Sequence, residues 1–345
     1  MTRPRPTQKP VTLKEVAAAA GVHPSTVSRA LSAGTRHLVA DDVAARVAAA
    51  AAGLGYRPDP VAASLRTGRS HMVGVLVPDI ANPVFSPILG GIAEALSAHG
   101  YSTIVADAGN DRARQIDLAE SLMARRVDGL VLATVARDDP VVARCLERAL
   151  PVVLVNRAEA SARVSAVVSD DMAGMALAVD HLIGLGHRAI GHLAGPPQIS
   201  TGHLRRRGFV AAMAAHGLEV DDAAIETASS YSREDGVVAA RALLDRRPDL
   251  TAVAAANDLL ALGLYDLLNE RGLACPRDLS VVGHNDMPLV DMVAPPLTTV
   301  RIGHREMGHE AAQLLMRAIN RDAGARLNIV LSPTLMIRKS TAAPL

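Results

Sequence analysis

Residues 11–31 read VTLKEVAAAAGVHPSTVSRAL, and the first part of the fold turns on this stretch. Thr12 and Glu15 have capping-box spacing: the Thr12 hydroxyl can accept an exposed helix N–H while Glu15 reaches back to the N-cap. Apolar Leu13, Val16, Ala17 and Ala20 follow at helical intervals, which predicts a helix that stops at Gly21. Pro24 suits the first position of a second helix, where its missing N–H costs nothing and its φ is already helical. In that helix Val27, Ala30 and Leu31 share one face, while Ser25 and Arg29 share another.

A third amphipathic segment runs from Asp41 through Val43, Val47 and Ala50 to about Leu54, with two acids at its start complementing the helix dipole. Three short helices around a Leu/Val/Ala core make a helix-turn-helix head. Ser and Arg near the start of its second helix suit major-groove contacts, because Arg pairs bidentately with guanine and Ser reaches a base or a phosphate. The same short spacing also fits an ordinary surface helix. The charge of this region is the footprint expected of a phosphate-binding surface, and equally of a solvated tail. Residues 1–70 hold ten Lys/Arg against four acids, net +6, whereas the remainder holds 26 basic against 31 acidic residues, net −5.

The third helix breaks at LGYRPDP, and VAASLRTGRS (residues 61–70) is a helix-capable linker bounded by Pro and Gly. From residue 72 the pattern changes. VGVLVP, STIVADA, GLVLAT, PVVLVN, AIGHLAG, AVAAAND and LSVVGHN are short apolar runs separated by helical stretches, the signature of parallel α/β sheets.

VTLKEVAAAAGVHPSTVSRAL, LGYRPDPVAASLRTGRS and VGVLVPDIANPVF together resemble the lactose-repressor (LacI) family of bacterial transcription regulators. The resemblance continues in family order through VDGLVL, LGHRAIGHLAG, RRRGF, AAANDLLALG, SVVGHND and PPLTTVR, from about Val11 to Thr341. It implies an all-α helix-turn-helix head plus an α/β periplasmic-binding-protein-like fold of two parallel-sheet subdomains. The implied division is a basic arm at 1–10, the head at 11–58, a hinge helix and linker at 59–71, and an effector-binding and dimerisation domain at 72–345. Within the last, one subdomain takes about 72–164 and 296–325, the other about 165–295 and 326–345.

Site residues follow from the same resemblance. Pro24, Ser25 and Arg29 match base-reading positions, and Thr12, Thr26 and Ser28 would contact phosphate or cap helices. Pro24 replaces a larger polar residue, which leaves it apolar contact such as a thymine methyl. Ala62 and Leu65 would meet DNA from the hinge helix, Leu65 as a wedge in the minor groove; Ala63 stands where many relatives are basic. Phe85, Asn156, Arg157, Arg205, Tyr231, Asn257, Asp258 and Asn285 would line an effector cleft at strand C-terminal ends. Asn156 and Asn285 occupy positions where sugar-binding relatives commonly carry aspartate. With Arg157 and Arg205 kept, that predicts a more positive pocket and an anionic effector such as a sugar acid or phosphorylated sugar.

Other chemistry finds little support. Gly184 to Ala189 forms a loose G-x-G-x-x-A, but it follows a helix and precedes a strand, the reverse of a dinucleotide fingerprint. His181, His187 and His192 are scattered over a helix, a turn and a strand and read as structural, and adjacent Asp170 and Asp171 suit a helix cap. Cys145 and Cys275 are isolated and read as packing residues. No catalytic constellation, metal site or cofactor is expected. A chain of 345 residues with 49% hydrophobic content, net charge +1 and no membrane-length apolar run predicts a cytoplasmic globular protein, associated with the nucleoid when on its operator. The expected partners are a palindromic DNA operator, a small effector and a second copy of the chain, a dimer rather than a tetramer because no C-terminal heptad segment is seen. A transport solute-binding protein or an enzyme fused to a DNA-binding head are the alternatives.

Overall fold

The computed structural model describes residues 11–32, 35–56, 68–322 and 324–345, in two compact units divided after Ser70. Ala62 and Leu65 lie outside the described residues.

The first unit holds α1 (Leu13–Ala20), α2 (Pro24–Ala30) and α3 (Asp41–Leu54), with a 3-10 turn at Arg36–Leu38. The capping box forms: the Thr12 amide donates to Glu15 Oε2 at 2.6 Å and the Glu15 amide donates to Thr12 Oγ1 at 3.4 Å. Gly21 closes α1 in the left-handed region at φ 65°, a conformation that costs other residues more. Val16, Ala17, Ala20, Val27, Val47 and Ala51 form the core, with Ala30 and Leu31 packed at its edge. Each buried valine contributes about 1.5–3 kcal/mol.

The second unit contains two six-stranded sheets. The first consists of β1 (Met72–Val77), β2 (Ser102–Asp107), β3 (Gly129–Leu132), β4 (Val152–Val155), β5 (Ser165–Ser169) and β11 (Asn328–Leu331), in the order β11-β5-β4-β3-β1-β2 and parallel throughout. Val73, Val75 and Val77 pack with α4 (Phe85–Ala98) and α11 (His304–Ile319). Leu76, Leu130 and Leu132 pack with α5 (Arg112–Ala124) and α6 (Pro140–Glu147) on the other face. Strands covered on both sides read as continuous apolar runs. Backbones of α4 and α11 approach so closely that a Cβ on Gly308 would lie 2.1 Å from the Ile88 carbonyl oxygen.

The second sheet consists of β6 (Ile190–Ala194), β7 (Ile225–Thr227), β8 (Ala252–Ala255), β9 (Ser280–Asn285), β10 (Thr298–Arg301) and β12 (Thr334–Met336), in the order β12-β10-β9-β8-β6-β7. All its pairings are parallel except that of β12 with β10. Helices α7 (Asp171–Gly184) and α8 (Ser200–Ala215) cover one face, α9 (Arg233–Arg246) and α10 (Asp258–Glu270) the other.

Three crossings between the sheets need correction. β5 belongs to the first sheet and β10 to the second, and β11 returns to the first, so the chain crosses near 170, 302 and 332 rather than near 165, 296 and 326. Short strands such as SAVVS and NIVL carry no local mark of which sheet they join; partners far along the chain decide. The Gly184–Ala189 segment joins α7 to β6, and the Asp170 side chain caps α7 by accepting from the Ala173 amide at 2.9 Å.

Candidate functional site

In the head, α2 starts at Pro24 because the His23 side chain caps it, its Nδ1 accepting from the Ser25 amide at 3.2 Å. Val27 turns inward, so Ser25 and Arg29 are exposed, and Pro24, Thr26 and Ser28 are half-buried beside them. Thr12 is exposed and engaged in the α1 capping box. The helix therefore offers a hydroxyl and a guanidinium to the outside from a rigid three-helix base.

In the second unit, a cavity opens at the C-terminal ends of both sheets. Phe85, Asn156, Arg157, Arg205, Tyr231, Asn257 and Asn285 line it together. A second cavity of about 330 Å³ adjoins it, sharing Pro78, Asn110, Arg157 and Tyr231 and adding Gln115, Thr134 and Asp139. The first has about 30 Å³ free, room for a water or two, so most of the space in the cleft lies in the adjoining cavity. Two hydrogen bonds cross between the subdomains here: the Arg137 amide donates to the Gln198 carbonyl at 3.1 Å, and the Ala158 amide donates to Ser200 Oγ at 3.0 Å.

Asp258 does not line the cavity. It is fully buried behind Asn257, accepting from Thr299 Oγ1 at 2.5 Å and from the Met287 amide at 2.8 Å. Its place on the first turn of α10 aims it into the core, where burial pushes its carboxyl up to about 7. Asn257 is the member of the pair that faces the cleft: its Oδ1 caps α10 by accepting from the Leu260 amide at 2.8 Å, leaving its amide N–H groups to donate elsewhere.

The two arginines differ. Arg205 Nε donates to Asp171 Oδ1 at 2.7 Å and its Nη1 to the Ala256 carbonyl at 2.6 Å, with both side chains almost wholly buried. Burial works against the guanidinium charge, but Asp171 outweighs it and holds the cation. The expectation of a more positive pocket with both arginines therefore narrows to Arg157, because Arg205 is paired with an acid 34 residues away. Arg157 is 7% exposed, and its Nε has no hydrogen-bond partner among the described residues. Burial pushes its pKa down to about 10, and the neighbours acting on it are Tyr231 and the cation of Arg205.

Tyr231 lies over Gly195, where any Cβ would stand 2.2 Å from the phenol oxygen; glycine there makes room for the ring. The Tyr231 and Thr201 hydroxyls are buried beside one another, and Asn285 Oδ1 is buried without a partner among the described residues. Asn156 and Asn285 hold positive φ of 64° and 114°, which Asn tolerates better than most residues and which turns both side chains at strand ends. Sequence reasoning missed Asp79, Asn82, Asn110 and Thr201, which also line the cavity. Asp79 and Asn82 were signalled by position, in the loop between β1 and the Phe85 helix; Thr201 had only its separation of one helical turn from Arg205.

The family described as periplasmic binding proteins and sugar binding domain of LacI family matches residues 70–339, and that of bacterial regulatory proteins, lacI family, matches residues 12–59. The chain belongs to the LacI family. This regulator is 31% identical to the ribose operon repressor of Escherichia coli over 95% of this chain and 99% of that protein. It is 35% identical to the transcriptional regulator MalR of Streptomyces coelicolor over 96% of each. Among solved structures, it resembles a lac repressor dimer bound to operator and an anti-inducer (TM-score 0.83, 28% identity, 97% of this chain and 100% of that one). It also resembles a complex of the regulator CelR with cellobiose (TM-score 0.73, 33% identity, 96% and 99%). Like its relatives, this LacI-family chain is a DNA-binding transcriptional regulator and not an enzyme.

Proposed function

We propose that this regulator binds a near-palindromic operator as a homodimer, represses a catabolic operon from it in the cytoplasm at the nucleoid, and is switched by a small molecule in the cleft. The exposed pair Ser25 and Arg29 on α2 supports operator reading, with Pro24, Thr26 and Ser28 half-buried on the same helix and Thr12 exposed at the start of α1. A symmetric dimer sets half-sites about 34–36 Å apart, which makes the operator a palindrome. Ala62 and Leu65 of the linker would add minor-groove contacts. Selection from a random DNA pool at near-physiological salt tests this, because at low salt phosphate contacts bind any sequence. A shared near-palindrome supports the reading; DNA without a common sequence refutes it. Arg29→Ala should relax base preference at one position of each half-site.

The effector reading rests on Arg157. A buried guanidinium with no ion pair among the described residues, in a cavity it shares with Asp79, Asn156, Asn257 and Asn285, is complementary to a polyhydroxylated molecule carrying a carboxylate or phosphate. CelR is seen with cellobiose and an Enterococcus faecium relative with ribose, both neutral sugars. Here the uncompensated cation shifts the preference to an acidic relative of such sugars. Thermal stabilisation by a panel of sugars, sugar acids and sugar phosphates measures it, since a ligand that binds the folded state raises the melting temperature in proportion to RT ln(1 + [L]/Kd). Effector binding must favour one of two subdomain arrangements to change DNA affinity.

A further inference from the structure

His23 does more than cap α2. Its Nδ1 lies 3.2 Å from the Ser25 amide nitrogen and 2.8 Å from Ser25 Oγ. An amide N–H can only donate, so its bond to Nδ1 assigns that atom as the unprotonated nitrogen of the ring, with the proton on Nε2 and one lone pair shared between the Ser25 amide and hydroxyl. The Ser25 hydroxyl, bound to that same accepting atom, must then be the donor in its own contact. Its single proton is committed to His23, and what the exposed hydroxyl has left is its acceptor lone pairs.

We propose that His23 is a positioning residue for operator specificity, making Ser25 an acceptor-only reader that selects a base amino group in the major groove. The inference rests on the reading of α2 as the recognition helix. A free serine hydroxyl donates or accepts and so tolerates any base. One that can only accept favours the N6 amino group of adenine or the N4 amino group of cytosine at the position it faces. Exchanging the strands of either pair puts a carbonyl oxygen there instead, and two acceptors then meet. On free protein this exposed hydrogen bond competes with water; at a docked interface water leaves, and the constraint strengthens.

The test uses the full-length protein and the operator recovered by selection, with all four base pairs placed at the position where Ser25→Ala flattens preference. The wild type should favour the amino-presenting orientations by about 3- to 10-fold, the size of one net hydrogen bond. His23→Ala should bring the four within about twofold of one another, even if loss of the cap lowers all the affinities together. In the Ser25→Ala background, His23→Ala should change no ratio. His23→Asp retains an acceptor beside Ser25, so it should keep the preference while repulsion from phosphate weakens every site alike. An unchanged ratio in His23→Ala, an equal change in the Ser25→Ala background, or no position flattened by Ser25→Ala overturns the inference. Recovery of no shared sequence would instead remove the recognition-helix reading beneath it.

Discussion

The two faces of the cleft each carry a buried arginine, and only one is spent. On the second subdomain, Arg205 is locked between Asp171 and the Ala256 carbonyl. On the first, Arg157 follows β4 with its Nε unpartnered among the described residues. Burying a cation without a counterion is costly, whereas a hydrogen-bonded pair offsets much of its desolvation. The difference teaches that two residues equally marked as pocket arginines are held differently: Arg205 ties α8 to α7 and the end of β8, while Arg157 has no ion pair among the described residues and is the one proposed to meet an effector.

The largest expected effect breaks this asymmetry on the scaffold side. Arg205→Ala leaves Asp171 buried without its cation and should cost about 3–5 kcal/mol of unfolding free energy in urea titrations. Arg157→Ala removes an uncompensated charge and should leave stability within about 1 kcal/mol; equal losses in both variants would erase the distinction. The same Arg157→Ala should weaken an anionic effector by about 10- to 150-fold, matching a charge-assisted hydrogen bond of about 1.5–3 kcal/mol, while a neutral analogue changes far less.

A third test sets Asp258 against Asp171, since Asp258 has hydroxyl and amide donors but no cation bonded to it. Its folded pKa, about 7, lies above its ordinary value of 3.8, so the folded chain holds a proton that the unfolded chain releases. That contribution is full below about pH 4 and is lost as pH rises towards 7. Asp258→Asn keeps an acceptor without the charge, so its urea midpoint relative to wild type should rise between pH 5 and pH 8; a constant difference would show that Asp258 titrates normally. The smallest effect sharpens the ligand side: Asn156→Asp or Asn285→Asp should move preference towards neutral sugars by up to about tenfold, read as a ratio of affinities.

How much of this was legible depends on range. The head could be read locally, because a capping box at Thr12 and Glu15, a left-handed Gly21 and an N1 Pro24 each act within one or two turns. The cleft residues were placed by the family resemblance, and Asn156, Arg157, Asn257 and Asn285 among them do sit where apolar strands end. What stayed hidden was long-range. No local pattern couples Asp171 to Arg205, tells that Asp258 turns into the core while Asn257 faces the cleft, or assigns β11 and β12 to different sheets. His23 was legible as a polar residue before a helix, but its hold on the Ser25 hydroxyl needed coordinates.

The most direct measurement of the central claim is calorimetric titration of the wild-type protein at pH 7 with a sugar acid and its neutral parent sugar, matched in every hydroxyl. A spent Arg205 and an unspent Arg157 predict tighter binding of the acid by about tenfold or more. Equal or tighter binding of the neutral sugar would contradict the account and make Arg157 a hydroxyl ligand like any other polar group in the cleft.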